Sequence, residues 1–453
     1  MRSLRRGRWA LAVVMLSVLL LLVAEPPAHG QPRPVLADPP RVYVDPQAGQ
    51  TLDELVAIAL KRAPTLEASR ARIDVARAEV VQAGLRPNPM LLGEWRGDLG
   101  GPTDGVTIGL AWPLDLGRRT GRVHAAERVV DVTRQNANDA ERLLAGAVRE
   151  QAGVLLAAAR RVEITTELMT AARSAYELLK VRVDEGGSPP LERDLALVEW
   201  KRLEAINHRL RGEADAAVAE LKAIAGIEPT SPLTLKVGLE RLVLEQKALA
   251  SQAPGEVSLP ASVGQRPDVR EATAAISAAE ARADRARREG RIDVSLFGAY
   301  SRLDATFPQF GLTSSGDLAR VHDIFHDLSV GAMVVLPWRN GNEGAVAAAK
   351  AERRVAEHQR DARLLDARAE IDAAWARDVQ ARRALDSYVS GVRETARRNL
   401  DVIRESYQLG RMTQFDVFAE QRRYFELEMG YTDALAVAFH ARKALERALG
   451  VSL

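Results

Sequence analysis

The chain has 453 residues, enough for two or three ordinary domains, yet aromatics supply only 5% of it and Ala, Arg, Glu and Leu dominate, a composition of long helices and coiled coils that argues against a compact enzyme. Its 63 basic and 61 acidic residues leave a net charge of +2 with the signs interleaved, which excludes a nucleic-acid footprint. Cysteine is absent, so disulfides and thiolate metal sites are excluded and no lipid anchor on an N-terminal cysteine is expected.

Arg2, Arg5, Arg6 and Arg8 precede an apolar run from Trp9 to Ala24, then Pro26, Pro27 and the small-residue site Ala28-His29-Gly30. This predicts a secretory signal peptide over residues 1–30, cut before Gln31, because a run of about 16 residues is short of the ~20 a spanning helix needs. Residues 31–50 are proline-rich and predicted irregular. Thr51 and Glu54 have the capping-box spacing, and apolar residues then recur at helical intervals to about Gly84, with a break expected at Pro64. Met90–Arg96 and Val106–Trp112 follow; in the second, Val106, Ile108, Leu110 and Trp112 alternate with Thr107, Gly109 and Ala111, the period-two mark of a strand. A proline-free helix is predicted from about Gly117 to Asp184, and a return helix from about Leu191 to Ala225. Ile227–Val263 has four prolines and no long periodic pattern, and is expected to link two halves.

The second half repeats the first. Pro113 and Pro337, Gly186 and Gly410, and Gly226 and Gly450 are each 224 residues apart, whereas Pro64 and Pro267 are 203 apart. Self-similarity at this length indicates a duplicated domain, with repeats over 51–226 and 264–453 flanking a linker at 227–263. Ile292–Tyr300 and Leu328–Leu336 alternate as strands, giving hairpins at about 89–112 and 291–336, and the second copy's additional ~21 residues are expected in its hairpin loop. Long helices follow from about Gly341 to Leu409 and from Thr413 to Leu449. The two short helices of each repeat, stacked end to end, would lie alongside its long one.

Four strands of about nine residues have the length of tilted membrane-spanning strands. In lipid a sheet must close, and closed barrels need at least about eight strands, so one copy must pool its strands with others; three copies give about twelve. Trp112 and Trp338 flank the prolines where strands become helices, which suits an interfacial aromatic belt, with core packing the competing account. His322 and His326 have a metal-ligand spacing for a helix, but no third ligand is placed, so no metal site is expected. No nucleophile, base or phosphate-loop constellation is present in the sequence.

The opening TLDELVAIALKRAPTLEASRARIDVARAEVVQAG, the proline-terminated strands, the duplication and the segment YQLGRMTQFDVFAEQRRYFELE resemble TolC-type outer-membrane efflux proteins over about residues 51–450. The resemblance implies a mainly α fold with a small β part: duplicated long helical hairpins forming a trimeric periplasmic α-barrel, and four strands per chain contributing to a 12-stranded outer-membrane β-barrel. It further implies a homotrimer in outer-membrane lipid that partners a periplasmic adaptor and an inner-membrane pump, with no catalytic site, no cofactor and no nucleic acid. Asp416 matches the family's lumen-facing carboxylate at the closed helical tips. The family's second acid is Ala419 here, with Glu420 adjacent, and Glu192 is the counterpart of Asp416 in the first repeat. Tyr407 matches an aromatic that holds the tips shut; the family's partner arginine is Met412 here, with Arg411 one residue away. The plain alternatives are a helix-capping carboxylate for Asp416, helix packing for Tyr407 and an exposed helical glutamate for Glu192. A periplasmic coiled-coil adaptor is the competing function, although near-equal halves and proline-terminated strands argue against it.

Overall fold

The computed structural model describes residues 42–99, 101, 103–252 and 263–450. The predicted signal peptide lies outside these residues, as does most of the proline-rich segment after it. The elements are α1 (Leu52–Arg62), α2 (Pro64–Gly84), β1 (Met90–Gly97), β2 (Asp104–Pro113), α3 (Arg118–Asp184), α4 (Pro190–Ala225), α5 (Leu239–Gln252), α6 (Pro267–Glu289), β3 (Asp293–Leu312), β4 (Leu318–Val335), α7 (Glu343–Ser387), α8 (Arg393–Gln408) and α9 (Gln414–Leu449).

Local chemistry sets the starts and stops. The Thr51 N–H donates to Glu54 Oε2 at 2.8 Å and the Glu54 N–H to Thr51 Oγ1 at 3.2 Å, closing the expected capping box of α1. Ala63 is extended and Pro64 opens α2, so the helix breaks where proline would clash with the preceding turn. The same terminal turn ends α3 and α8: the Gly187 N–H donates to the Arg182 carbonyl at 2.7 Å, and the Arg411 N–H to that of Ser406 at 2.9 Å. In each the preceding glycine, Gly186 or Gly410, is left-handed. Return helices α4 and α9 then run back. On α9 the buried residues Gln414, Phe418, Gln421, Phe425, Glu428, Thr432, Leu435 and Phe439 are spaced four and three apart in alternation. That 3.5-residue period keeps one seam facing its neighbours along the whole helix, as in a coiled coil.

Helix α3, 67 residues and roughly 100 Å long at 1.5 Å per residue, is the spine. It packs against α1, α2, α4, α6 and α9. The expected end-to-end stacking of short helices is present: α1 touches both α3 and α4, and the end of α4 abuts the end of α1. At that junction Gly226 is left-handed (φ 66°), and a Cβ there would sit 2.6 Å from the Arg62 carbonyl oxygen. In the second repeat Arg266 replaces Ala63 at the equivalent junction. Its buried guanidinium donates to the Ala448 carbonyl at 2.8 Å and pairs with Asp268 and Glu370. Gly226→Ala is therefore expected to lower stability by roughly 1–3 kcal/mol, from the φ and the backbone contact together, read as a fall in the thermal midpoint in detergent. The main core lies at this level, where Leu55, Leu155, Leu210, Leu221, Leu435 and Phe439 from α1, α3, α4 and α9 are fully enclosed.

Three expectations need correction. The linker contains a 14-residue helix, α5, whose residues Leu239 and Val243 are buried in the main core; its short amphipathic stretch was hidden by flanking prolines. The second long helix is interrupted at Tyr388–Val392, where Gly391 adopts φ 109° and a π-turn separates α7 from α8. The residues assigned to a second hairpin loop are mostly strand. β3 and β4 extend to Leu312 and Leu318 as a two-stranded ribbon, with an irregularity between Thr306 and Phe310. His322 and His326 are thus on a strand, on one face of it, and not on a helix.

Candidate functional site: an apolar open sheet and the helical tips

The four strands form one antiparallel sheet in the order β1-β2-β3-β4, with β1 and β4 at its edges. Alternation sorts the faces. On β2, Gly109 and Ala111 are buried, while Val106, Ile108, Leu110 and Trp112 are each about half exposed. Register places Leu91, Leu110, Gly298 and Val330 in one row across the sheet, with Trp112, Leu296 and Ala332 in the row below. Leu328 and Val330 are 80% and 82% exposed. A continuous apolar face of this kind has no stable place in water, and two free edges have none in lipid. Trp112 belongs to this face at the strand's end, and Trp338, just past Pro337, is 88% exposed. Among the described residues no helix is long and apolar enough to cross a membrane.

At the opposite end, the tips of the two helical hairpins are adjacent. Phe418 of α9 packs with Leu179 of α3 and Ala196 of α4. Tyr407, at the end of α8, sits beside Glu192 and Arg182; burial and the Glu192 charge raise its hydroxyl's pKa, which the Arg182 guanidinium opposes. Two sequence-predicted residues, Tyr407 and Glu192, are therefore brought together. The cation beside the tyrosine is Arg182 of the first repeat. The side chain of Arg411 makes no ion pair among the described residues, and Met412 is an exposed apolar residue. Arg182 was missed because its only sequence signal is a basic residue in the last turn of α3, ordinary for a helix C-terminus.

Asp416 is the third residue of α9 and closes a second capping box. Its Oδ2 accepts the Thr413 N–H at 2.9 Å and the Thr413 hydroxyl at 2.7 Å. The hydroxyl and then the N–H hold its carboxyl below the usual range, so it is ionised at neutral pH. Glu420, one turn on, pairs with Arg423 at 3.2 Å. The capping reading of Asp416 is thus realised, and an ionised carboxylate stands at the tip whatever further role it has.

One antiparallel sheet with an apolar face, joined to two long helical hairpins, is an arrangement also found in solved outer-membrane channels. CusC, solved in a study of folding and transmembrane channel formation, superposes with TM-score 0.70 at 18% identity, over 91% of this chain and 94% of that one. The outer membrane protein VceC of Vibrio cholerae gives 0.66 at 19% identity, over 88% and 96%. The open-state MtrE outer membrane channel of Neisseria gonorrhoeae gives 0.67 at 17%, over 88% and 89%. Residues 55–227 match the family described as Outer membrane efflux protein. No curated protein sequence matches. The fold is that of these solved outer-membrane channels, and the family match covers residues 55–227 of the 453.

Proposed function

We propose that three copies of this chain assemble into a passive export duct, with twelve pooled strands closing a barrel in the outer membrane of a Gram-negative bacterium and the helical hairpins forming a tunnel across the periplasm. The observation that carries this reading is the open sheet: four strands, two unpaired edges and a broad apolar band on one face. Closure with two further copies satisfies the edges and lipid covers the face. The duct performs no chemistry of its own and works with a periplasmic adaptor and an inner-membrane pump, which selects the cargo. A periplasmic adaptor has no use for such a face, so the channel reading is preferred. Membrane extracts should contain a heat-modifiable trimer; a water-soluble monomer folded without detergent would overturn the assignment.

In this reading the tips form the constriction. Asp416 from three copies lines it, Glu420 and Glu192 add carboxylates nearby, Tyr407 with Glu192 and Arg182 latches the two hairpins of one copy, and Arg411 borders the opening. Trp112 and Trp338 sit at the periplasmic membrane interface. Asp416→Ala is expected to reduce cation selectivity and divalent-cation block in planar-bilayer conductance recordings; unchanged values for both remove Asp416 from the constriction.

A further inference from the structure

Above the apolar band the β3–β4 ribbon changes character without changing face. On β4 the residues Val334, Ala332, Val330 and Leu328 are followed, two by two, by His326, Ile324, His322 and Arg320. On β3 the same face runs Leu296, Gly298 and Tyr300, then Arg302 and Asp304. Arg302 and His326 are register partners in the row of Trp95 and Val106. We propose that Arg302, Arg320, His322 and His326 form a seat for the phosphorylated head groups of lipid in the outward-facing leaflet.

The position carries the argument, and it rests on the reading that the sheet spans the outer membrane. From the Val294–Val334 row to the Arg302–His326 row is eight residues, roughly 26 Å along the strands at about 3.3 Å per residue. At a strand tilt of about 35–45° this is about 20 Å of membrane depth, close to the ~25 Å apolar band of such barrels. The basic rows therefore begin where hydrocarbon gives way to head groups. The residue at the boundary is Tyr300, whose hydroxyl lies 2.5 Å from His326 Nδ1, its ring stacked on the imidazole at 5.9 Å. Charge is sorted between the faces: Asp323 and Asp327, on β4, alternate with the histidines and so occupy the opposite, lumen side. The acids on the basic face are Asp304 and its register partner Asp104. Asp304 Oδ1 holds His322 Nε2 at 2.6 Å, and its Oδ2 lies 3.5 Å from Arg302, so it orients the seat. Arginine suits the ligand, since its planar fork meets phosphate oxygens two at a time. A metal site fits less well: no group of three or more His, Cys, Asp or Glu able to hold an ion occurs among the described residues.

The test uses the full-length trimer in detergent with diphosphorylated lipid A, the same lipid stripped of its phosphates, and inorganic phosphate as probes, with retained lipid counted by native mass spectrometry. The trimer should retain the phosphorylated lipid, at least about tenfold more than the stripped form, and millimolar inorganic phosphate should not displace it. Arg302→Gln with Arg320→Gln should lower retention about tenfold while the heat-modifiable trimer persists, and Asp323→Asn on the lumen side should change nothing. If the double variant does not assemble, Arg320→Gln alone, beyond the apolar band, gives the same readout. Equal retention by wild type and variant, no preference for phosphate on the lipid, or displacement by inorganic phosphate overturns the seat while leaving the channel intact. Loss of the wild-type trimer itself would instead overturn the channel reading.

Discussion

Val330→Arg should leave no heat-stable trimer in the membrane fraction, whereas Ser329→Arg, one residue away, should leave it intact. Val330 is in the middle row of the apolar face and 82% exposed in the single chain. An arginine at the midplane of a membrane barrel costs ~2–4 kcal/mol, and three copies raise this to roughly 6–12 kcal/mol per trimer. That is comparable to the whole stability of an ordinary domain. Ser329 is on the other face, opposite Ala299, where a long cation would reach into the lumen. The contrast separates a membrane barrel from general intolerance of the strand: if both variants assemble, or Ser329→Arg is the one that fails, the lipid-facing side has been assigned to the wrong face.

Glu428→Ala should be the most damaging single change in the helical part, at about 3–5 kcal/mol. Glu428 is buried in the α9 seam, 2% exposed, with Arg393 Nε at 2.5 Å and Arg160 at 3.6 Å. Both arginines also pair with Glu240 of α5, at 2.8 and 3.0 Å, and both guanidiniums lie over the Tyr431 ring. The Tyr431 hydroxyl donates to Glu240 at 2.9 Å; burial first, then Glu240, pushes its pKa up to about 12, so it remains a donor throughout the physiological range. The network ties α3, the linker helix, the start of α8 beyond the π-turn, and α9 at one point. Removing Glu428 leaves Arg160 and Arg393 competing for one carboxylate in a poorly hydrated place, which is where the loss arises. Thermal denaturation followed by helical circular dichroism checks this: the midpoint should fall steeply for Glu428→Ala and much less for Glu213→Ala, a surface partner of Arg209.

Much of this was legible in the sequence where the signal is local. Thr51 and Glu54 cap a helix because a hydroxyl and a carboxylate three residues apart reach each other's N–H groups in any context. Pro64 breaks a helix for reasons internal to the ring. Alternation on Val106–Trp112 marked a strand, and the 224-residue offset paired the turns at Gly186 and Gly410, both left-handed. Other features were misread because the local signal was faint or ambiguous. α5 has too few turns between prolines to register as periodic, and the ribbon beyond Tyr300 mixes Phe307, Pro308 and Gly311 into what reads as loop.

The amino-acid sequence by itself determined the alternation of the strands, the turn points at Gly186 and Gly410, and the capped and proline-set starts of the first helices. Only the tertiary structure decided that Arg182 and not Arg411 stands beside Tyr407, that Glu428 shares two arginines with the linker helix, and that His322 and His326 extend an apolar strand face with polar groups. The reason is range. Caps, breaks and alternation are fixed by neighbours within a turn, whereas which charge meets which depends on the axial register of helices some two hundred residues apart, and packing along the whole coiled-coil seam sets that register.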